Sequence, residues 1–251
     1  MSCTIPHRHL WSPERLSAAD LHALLDTAAE VKRAKQRDSG WAPLRGRHIA
    51  VLAQQNDDAT LAFERAVREL GGKATLLDAR DWQSSAGARV ADAARMLGRL
   101  YEAIDCSGLP AALLEQIDAH SGVPVFNGLA QPDHPLSAVG ALLTMRDASG
   151  MPFERLHVQL FGDPQLPPQR TAAALARLVG VDAQPQMSAA IGAADAAGDE
   201  PDFIFDPLAA PAATNRLIMP AAPPDEQAYI ATLLARNSRC ALQAMLICSL
   251  N

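Results

Sequence analysis

No stretch of the chain approaches the ~20 consecutive apolar residues that a membrane-spanning helix requires. The start of the sequence also lacks the charged and then apolar pattern of a secretory leader. Cysteine is scarce. Cys3, Cys106, Cys240 and Cys248 show none of the close pairings that hold a structural metal. Four reduced thiols in a cytoplasmic protein, with no metal and no cofactor, is the expectation. Positive charge is also short, with 22 Lys and Arg against 28 Asp and Glu and a net charge of −6. A nucleic-acid-binding face needs a basic excess that this balance does not supply. The basic run from Lys32 to Arg37 is read as the last turn of a helix, where cations offset the dipole. His7 and His9 flank Arg8, and Asp202 and Asp206 flank an apolar triplet. Neither spacing makes a convincing metal site, and the second pair reads as the ends of a strand.

What is present is a substantial apolar fraction, 49% of 251 residues, enough for a sizeable core in one or two domains. Ser17-Ala18-Ala19-Asp20 has the form of a capping box, followed by Leu21, Leu24, Leu25, Ala28 and Val31 on one helical face. Ile49 to Leu52 reads as a buried strand. Leu61, Phe63, Val67 and Leu70 form a helical stripe stopped by Gly71-Gly72. The next strand is Gly72 to Leu77, giving a β-α-β unit and therefore a parallel sheet. The rhythm continues with a helix over 90–100, a strand at 103–105, a helix over 113–120, a strand at 123–126 and a helix over 137–145. Asp147 to Gly150 is a polar turn suited to a domain boundary. A strand at 156–161 restarts the alternation, followed by a helix over 170–178, short strands at 202–206 and 216–219, and a helix from Asp225 to Leu250. Ala-, Pro- and Gly-rich pieces at 189–201 and 208–213 read as surface loops.

The segment Gln54 to Thr60 carries the most information. A loop leading from a strand end into a helix N-terminus gathers free backbone N–H groups and positive dipole, and there anions bind. Here Asp57 and Asp58 occupy that position. A phosphate dianion would meet like charges unless a cation intervened or the acids were protonated. The simpler reading is that the two carboxylates cap their own helix.

From Leu16 onward the chain resembles the aspartate/ornithine carbamoyltransferases, the ornithine branch especially. The family loop Ser-Thr-Arg-Thr-Arg, which grips carbamoyl phosphate, falls on Asn56, Asp57, Asp58, Ala59 and Thr60, so both arginines are replaced. Ser107 stands where the family has another phosphate-facing arginine. Gln83 and Gly87 match the loop that family members lend to a neighbouring subunit, although Trp82 replaces a serine. Asn127-Gly128-Leu129 and His134-Pro135 match the histidine motif, in which the histidine donates to the carbamoyl oxygen. Ser137 replaces the glutamine of that motif. Arg239 aligns with an arginine facing the same carbonyl. His134 could instead be a structural histidine, and Arg239 could pair with a neighbouring acid. In the second half Gly162-Asp163 matches, but the ornithine-holding asparagines become Pro164 to Pro167. The cysteine segment becomes Leu217 to Pro220, and a loop between Asp206 and Arg216 is shortened.

The resemblance implies an α/β fold of two doubly wound parallel-sheet domains, 1–147 and 148–251. The terminal helix, from about 226, would return to the first domain. It implies a degenerate pocket formed by Asn56, Asp57, Asp58, Ala59, Thr60 and Gln83, with His134 and Arg239 as retained positions. The expected protein is a catalytically inactive carbamoyltransferase relative acting by assembly, as a homotrimer or a mixed trimer with a catalytic relative, or by binding an amino-acid-like small molecule. The alternative is an active carbamoyltransferase with an altered donor or acceptor.

Overall fold

A computed structural model describes residues 16–37, 40–54, 57–83, 88–186, 200–209 and 214–250. The first helix, α1 (Ala18–Gln36), opens as its sequence dictates. The Asp20 backbone N–H donates to Ser17 Oγ at 3.2 Å, and the Ser17 N–H donates to the Asp20 carboxylate at 3.0 Å. Its last turn carries Arg33 and Lys35. The chain then lays down β1 (His48–Ala53), α2 (Asp58–Glu69), β2 (Lys73–Asp78), the short α3 (Arg80–Gln83), α4 (Ala88–Leu100), β3 (Ala103–Cys106), α5 (Ala111–Ser121), β4 (Val125–Phe126) and α6 (Leu136–Ser149). The four strands form one parallel sheet in the order β2-β1-β3-β4.

Strand alternation sorts the side chains of this sheet into two cores. Ile49, Val51, Ala53 and Phe126 join the core shared with α1, α2, α6 and the final helix. Ala50, Leu52, Ile104, Cys106 and Val125 point to the opposite face, under α4 and α5. Because both faces are covered, the central strands are apolar apart from His48 at the start of β1 and the buried Asp105 in β3.

The second sheet comprises β5 (His157–Phe161), β6 (Asp182–Gln186), β7 (Phe203–Ala209) and β8 (Thr214–Ile218), in the order β6-β5-β7-β8. Helix α7 (Pro167–Leu178) connects β5 to β6. Two details differ from the sequence reading. Strand β8 is antiparallel to β7, so this sheet is parallel-dominated rather than wholly parallel. Strand β6, Asp-Ala-Gln-Pro-Gln, has no apolar run to announce it. It is an edge strand, where the missing N–H of Pro185 is tolerated.

Helix α8 (Pro224–Leu250) runs back along α1, α2 and α6. Gly140 on α6 allows that approach: a Cβ there would lie 2.5 Å from Ser238 Oγ and 2.7 Å from its Cα. Polar ties fix the register of the helix. Asn237 Nδ2 donates to Thr144 Oγ1 at 3.2 Å and to the Asp147 carboxylate at 2.9 Å. Gln243 Nε2 donates to the Ala66 carbonyl at 3.0 Å. Among the described residues no helix is long and apolar enough to cross a membrane. Cys106 and Cys240 are free and buried. Cys248 is disulfide-bonded, which corrects the expectation of four free thiols.

Candidate functional site

In an open parallel sheet, ligands bind beyond the carboxyl ends of the strands, where the strand order reverses direction. In the order β2-β1-β3-β4 that point lies between β1 and β3. The segments leaving those strands bring Asp57 and Ser107 to the same edge. The loop after β4 adds Asn127, Gln131 and His134. The candidate site is therefore where the topology demands one, and its side chains bond mainly to one another.

Asp57 is the N-cap of α2, in extended backbone conformation, and its Oδ1 accepts the Thr60 N–H at 2.8 Å. Partial burial works against its charge. Hydrogen bonds from Thr60 and Gln131 nevertheless hold the carboxyl below the usual range, so it is ionised near neutral pH. The helix N-terminus that would receive a phosphate already carries an anion belonging to the protein. Asp58 follows in the first helical turn and is exposed, while Ala59 is half-buried and Thr60 is buried. Asn56 lies outside the described residues. Gln83 is the last residue of α3, its side chain lies outside the described set, and so does Gly87.

Gln131 was not anticipated. Its Nε2 donates to Ser107 Oγ at 2.5 Å and reaches Asp57 Oδ2 at 3.5 Å. The amide thus spans the two positions that face the switch point. Gly128 puts it there, with φ of +81° and the Gln131 N–H donating to the Gly128 carbonyl at 2.9 Å. Any side chain at 128 would meet Gln131 Cγ at 2.9 Å in a backbone conformation that favours glycine. The same turn is anchored from beneath by Asp105. That carboxylate, 2% exposed, accepts the Gly128 N–H at 3.1 Å and the Leu129 N–H at 3.0 Å. Burial raises it to about 6 despite those two bonds.

His134 is 3% exposed and both ring nitrogens are engaged. The Leu136 backbone N–H can only donate, and it does so to Nδ1 at 3.1 Å. The ring proton therefore sits on Nε2, which donates to Asn127 Oδ1 at 2.9 Å. Burial pushes the imidazole down to about 3, so it is neutral. A histidine serving a carbamoyl oxygen would direct that proton at the ligand. Here it is held by Asn127 and the Leu136 backbone within the loop itself.

Arg239 follows the same logic. Its Nη1 lies 3.5 Å from Glu69 Oε1. Glu69 also accepts from Lys35 Nζ at 2.5 Å, Arg65 Nε at 3.1 Å and Gln243 Nε2 at 3.1 Å. The arginine takes part in an ion network between α1, α2 and α8, the acid pairing that its sequence leaves open beside a carbonyl-facing role.

In the second half, Asp163 and Pro164 begin a turn rather than a binding loop. Asp163 Oδ1 accepts the Gln165 N–H at 2.9 Å and its carbonyl accepts the Leu166 N–H at 3.1 Å, just ahead of Pro167 in the first turn of α7. Asp202 accepts the His157 N–H at 2.8 Å, and Asp206 lies 3.7 Å from Arg216. Asp202 immediately precedes β7, whereas Asp206 lies inside that strand opposite Arg216, which corrects its reading as a strand end. Among the described residues no group of His, Cys, Asp and Glu could hold a metal.

The profile described as aspartate/ornithine carbamoyltransferase, carbamoyl-P binding domain, matches residues 8–147. A catabolic ornithine carbamoyltransferase of Pseudomonas putida is 34% identical over 164 residues, covering 65% of this chain and 49% of that protein. The chain thus spans about half the length of the curated relatives it matches. An ornithine carbamoyltransferase from Pyrococcus furiosus superposes with a TM-score of 0.61 at 25% identity, over 73% of this chain and 57% of that one. A putative aspartate carbamoyltransferase from Trypanosoma cruzi gives 0.67 over 96% and 95%, at 18% identity, which bears on the fold alone. By the matched profile and by the sheet order that carries the site, the chain belongs to the aspartate/ornithine carbamoyltransferase family.

Proposed function

We propose that this chain is a carbamoyltransferase relative that does not turn over carbamoyl phosphate and acts through subunit assembly or small-molecule binding. The observation that carries the reading is the Asp57 carboxylate on the Thr60 N–H, at the helix end where the donor's phosphate would sit. An ion pair of like charges at ~4 Å is repelled by about 4 kcal/mol at the effective dielectric of a protein surface. Loss of one oxyanion-type donor alone lowers rate roughly a hundredfold to a thousandfold. Asp57, the Ser107–Gln131 bond and the internal use of His134 act together against the same step.

The domain division at 147/148, a trimer of this chain alone or with a catalytic relative, and a cytoplasmic location belong to the same proposal. Support for assembly is the better preservation of the first half, with Gln83 at the family's subunit-bridging position. Incubation with carbamoyl phosphate and either ornithine or aspartate is expected to give no citrulline or carbamoyl-aspartate, and carbamoyl phosphate is expected to leave Tm unchanged. Light scattering on the same sample is expected to give three times the monomer mass, alone or after mixing with an active relative. Product at ~1 per second or faster would overturn the catalytic part, and a monomer in both samples would overturn the assembly part.

A further inference from the structure

A concavity of about 380 Å³ lies at the opposite end of the first sheet, where Arg47, Glu102 and Pro124 lead into β1, β3 and β4. None of Asp57, Ser107, Gln131 and His134 lines it. The C-terminal ends of α4, α5 and α8 close its other sides. Gly98 near the end of α4 makes that convergence possible, because a Cβ there would lie 1.7 Å from the Ser121 carbonyl oxygen at the end of α5.

Charges of both signs line this pocket without neutralising one another. Arg47, Arg99 and Glu102 all form its wall, yet among the described residues Glu102 pairs with neither arginine. Glu102 Oε2 accepts the His48 N–H at 2.6 Å, which leaves its other oxygen free. Arg47 Nη2 donates to the Leu250 carbonyl at 3.3 Å. The exposed Arg99 guanidinium and the Tyr101 hydroxyl have no partner among the described residues. Ser249 in the same wall, 8% exposed, holds an Oγ without a hydrogen-bond partner. The helix ends add acceptors, since the last carbonyls of a helix have no intrahelical donor and carry partial negative charge.

We propose that this pocket binds a zwitterionic α-amino acid with a polar side chain, its carboxylate on Arg99 and its ammonium on Glu102 and the helix-end carbonyls. A simple anion would meet the Glu102 carboxylate and the negative ends of α4, α5 and α8, and a simple cation would meet Arg47 and Arg99. A ligand that carries both charges answers both sets, and an Arg–carboxylate pair can be bidentate, which fixes its orientation. The volume exceeds the ~150 Å³ that holds a benzene ring, so a molecule the size of glutamine fits. Its side chain meets the unpaired Tyr101 hydroxyl, which favours a polar group there. The site stands at the far end of the sheet from Asp57 and His134, so the inference does not depend on whether carbamoyl transfer is lost.

The test uses L-glutamine as the zwitterion, glutaramate as the same skeleton without the ammonium, and L-glutaminamide as the same skeleton without the carboxylate. Calorimetry or saturation-transfer NMR on the full chain is expected to show a Kd of ~1 mM or tighter for glutamine. Each single-charge analogue is expected to bind at least about tenfold more weakly. Arg99→Gln is expected to weaken glutamine about tenfold and leave glutaminamide unchanged. Glu102→Gln, which keeps an acceptor for the His48 N–H, is expected to weaken glutamine about tenfold and leave glutaramate no weaker. Unchanged urea midpoints show that both variants keep the fold. Equal binding of glutamine and either analogue, or no binding, overturns the proposal. So does glutamine binding that is indifferent to either substitution, because the ligand then sits elsewhere on the chain. Turnover measured on the same samples separates this outcome from the catalytic reading.

Discussion

The carboxyl edge of the first sheet and that of the second differ in how their polar groups are arranged. Beyond β1, β3 and β4 the side chains form a connected set: Asp57 to Gln131, Gln131 to Ser107, and Asp105 beneath the turn that carries Gln131. His134 and Asn127 close the same loop. Beyond β5 and β7 the acids work separately. Asp163 bonds the Gln165 N–H in a turn ahead of α7, and Asp206 inside β7 meets Arg216 across a strand pair. A connected, buried polar set is costly to disturb at any member, because removal leaves partners unsatisfied in a poorly solvated place. Separate surface bonds are cheap to lose. At the first edge the polar groups therefore hold one another, whereas at the second they serve separate local contacts.

The largest test of this contrast is His134→Phe. It leaves the Leu136 N–H and Asn127 Oδ1 without their present partners in a buried loop. Each orphan costs about 1–3 kcal/mol, so a loss of roughly 3 kcal/mol in urea-unfolding free energy is expected. The matching change in the second half, Asp163→Asn in its exposed turn, is expected to cost about 0.5 kcal/mol. A histidine kept for a ligand would show the opposite balance, with little stability lost. Equal costs in the two halves would break the comparison.

The next test uses pH. The raised Asp105 carboxyl, about 6 in the fold, binds its proton more readily there than in the unfolded chain. The cost of ionising it is therefore fully present above pH 6 and is relieved as pH falls toward the unfolded value of about 3.9. His134 works in the other direction. Its imidazole, held down to about 3, stays neutral in the fold while the unfolded chain takes up a proton below about 6.5, so stability is lost as pH falls from there. Asp105→Asn keeps an acceptor for Gly128 and Leu129 without the charge. It is expected to raise stability by ~2 kcal/mol at pH 7, with the gain shrinking to nothing near pH 4. Denaturant midpoints of both proteins from pH 4 to 8 check the slope. A gain that is independent of pH would mean that the Asp105 carboxyl titrates in the fold as it does in the unfolded chain.

The elements were legible where burial dictates sequence. Ile49 to Leu52, the stripe Leu61 to Leu70 and the Ser17 capping box could be read directly, because covered strands and amphipathic helices leave a periodic apolar mark. Strand β6 could not, since an edge strand facing water has no such mark, and the antiparallel turn of β8 depends on partners that local sequence does not name. At the site, Asp57 as a helix cap was readable from position alone. Gln131 was not. Its role arises from a glycine-dependent turn three residues earlier and from two partners remote in sequence. Asp105 carried the one available hint, an acid inside an apolar strand. For His134 and Arg239 the sequence left a structural and a ligand-facing reading open, and their contacts with Asn127 and Glu69 depend on partners that the local sequence does not name.

The smallest effect discriminates most finely between capping and ligand binding. Asp57→Ala removes one N-cap bond, for which about 1 kcal/mol is the usual cost. Asp163→Ala removes a bond to Gln165 in an exposed turn and is expected to cost about half as much or less. The informative reading is taken in inorganic phosphate. If Asp57 stands in for an anion, its removal vacates a helix N-terminus that has the dipole and N–H groups phosphate prefers. Phosphate should then restore most of the lost stability in Asp57→Ala, do nothing for the parent protein, and do nothing for Asp163→Ala. The deficit follows the pH dependence of a depressed carboxyl: Asp57 contributes above its unfolded value near 3.9, and that contribution disappears as pH falls through its lower folded value. Phosphate rescue of both variants would mean nonspecific salt stabilisation. No rescue of either would mean that the first edge, although its residues are connected, retains no anion site for the aspartate to have replaced.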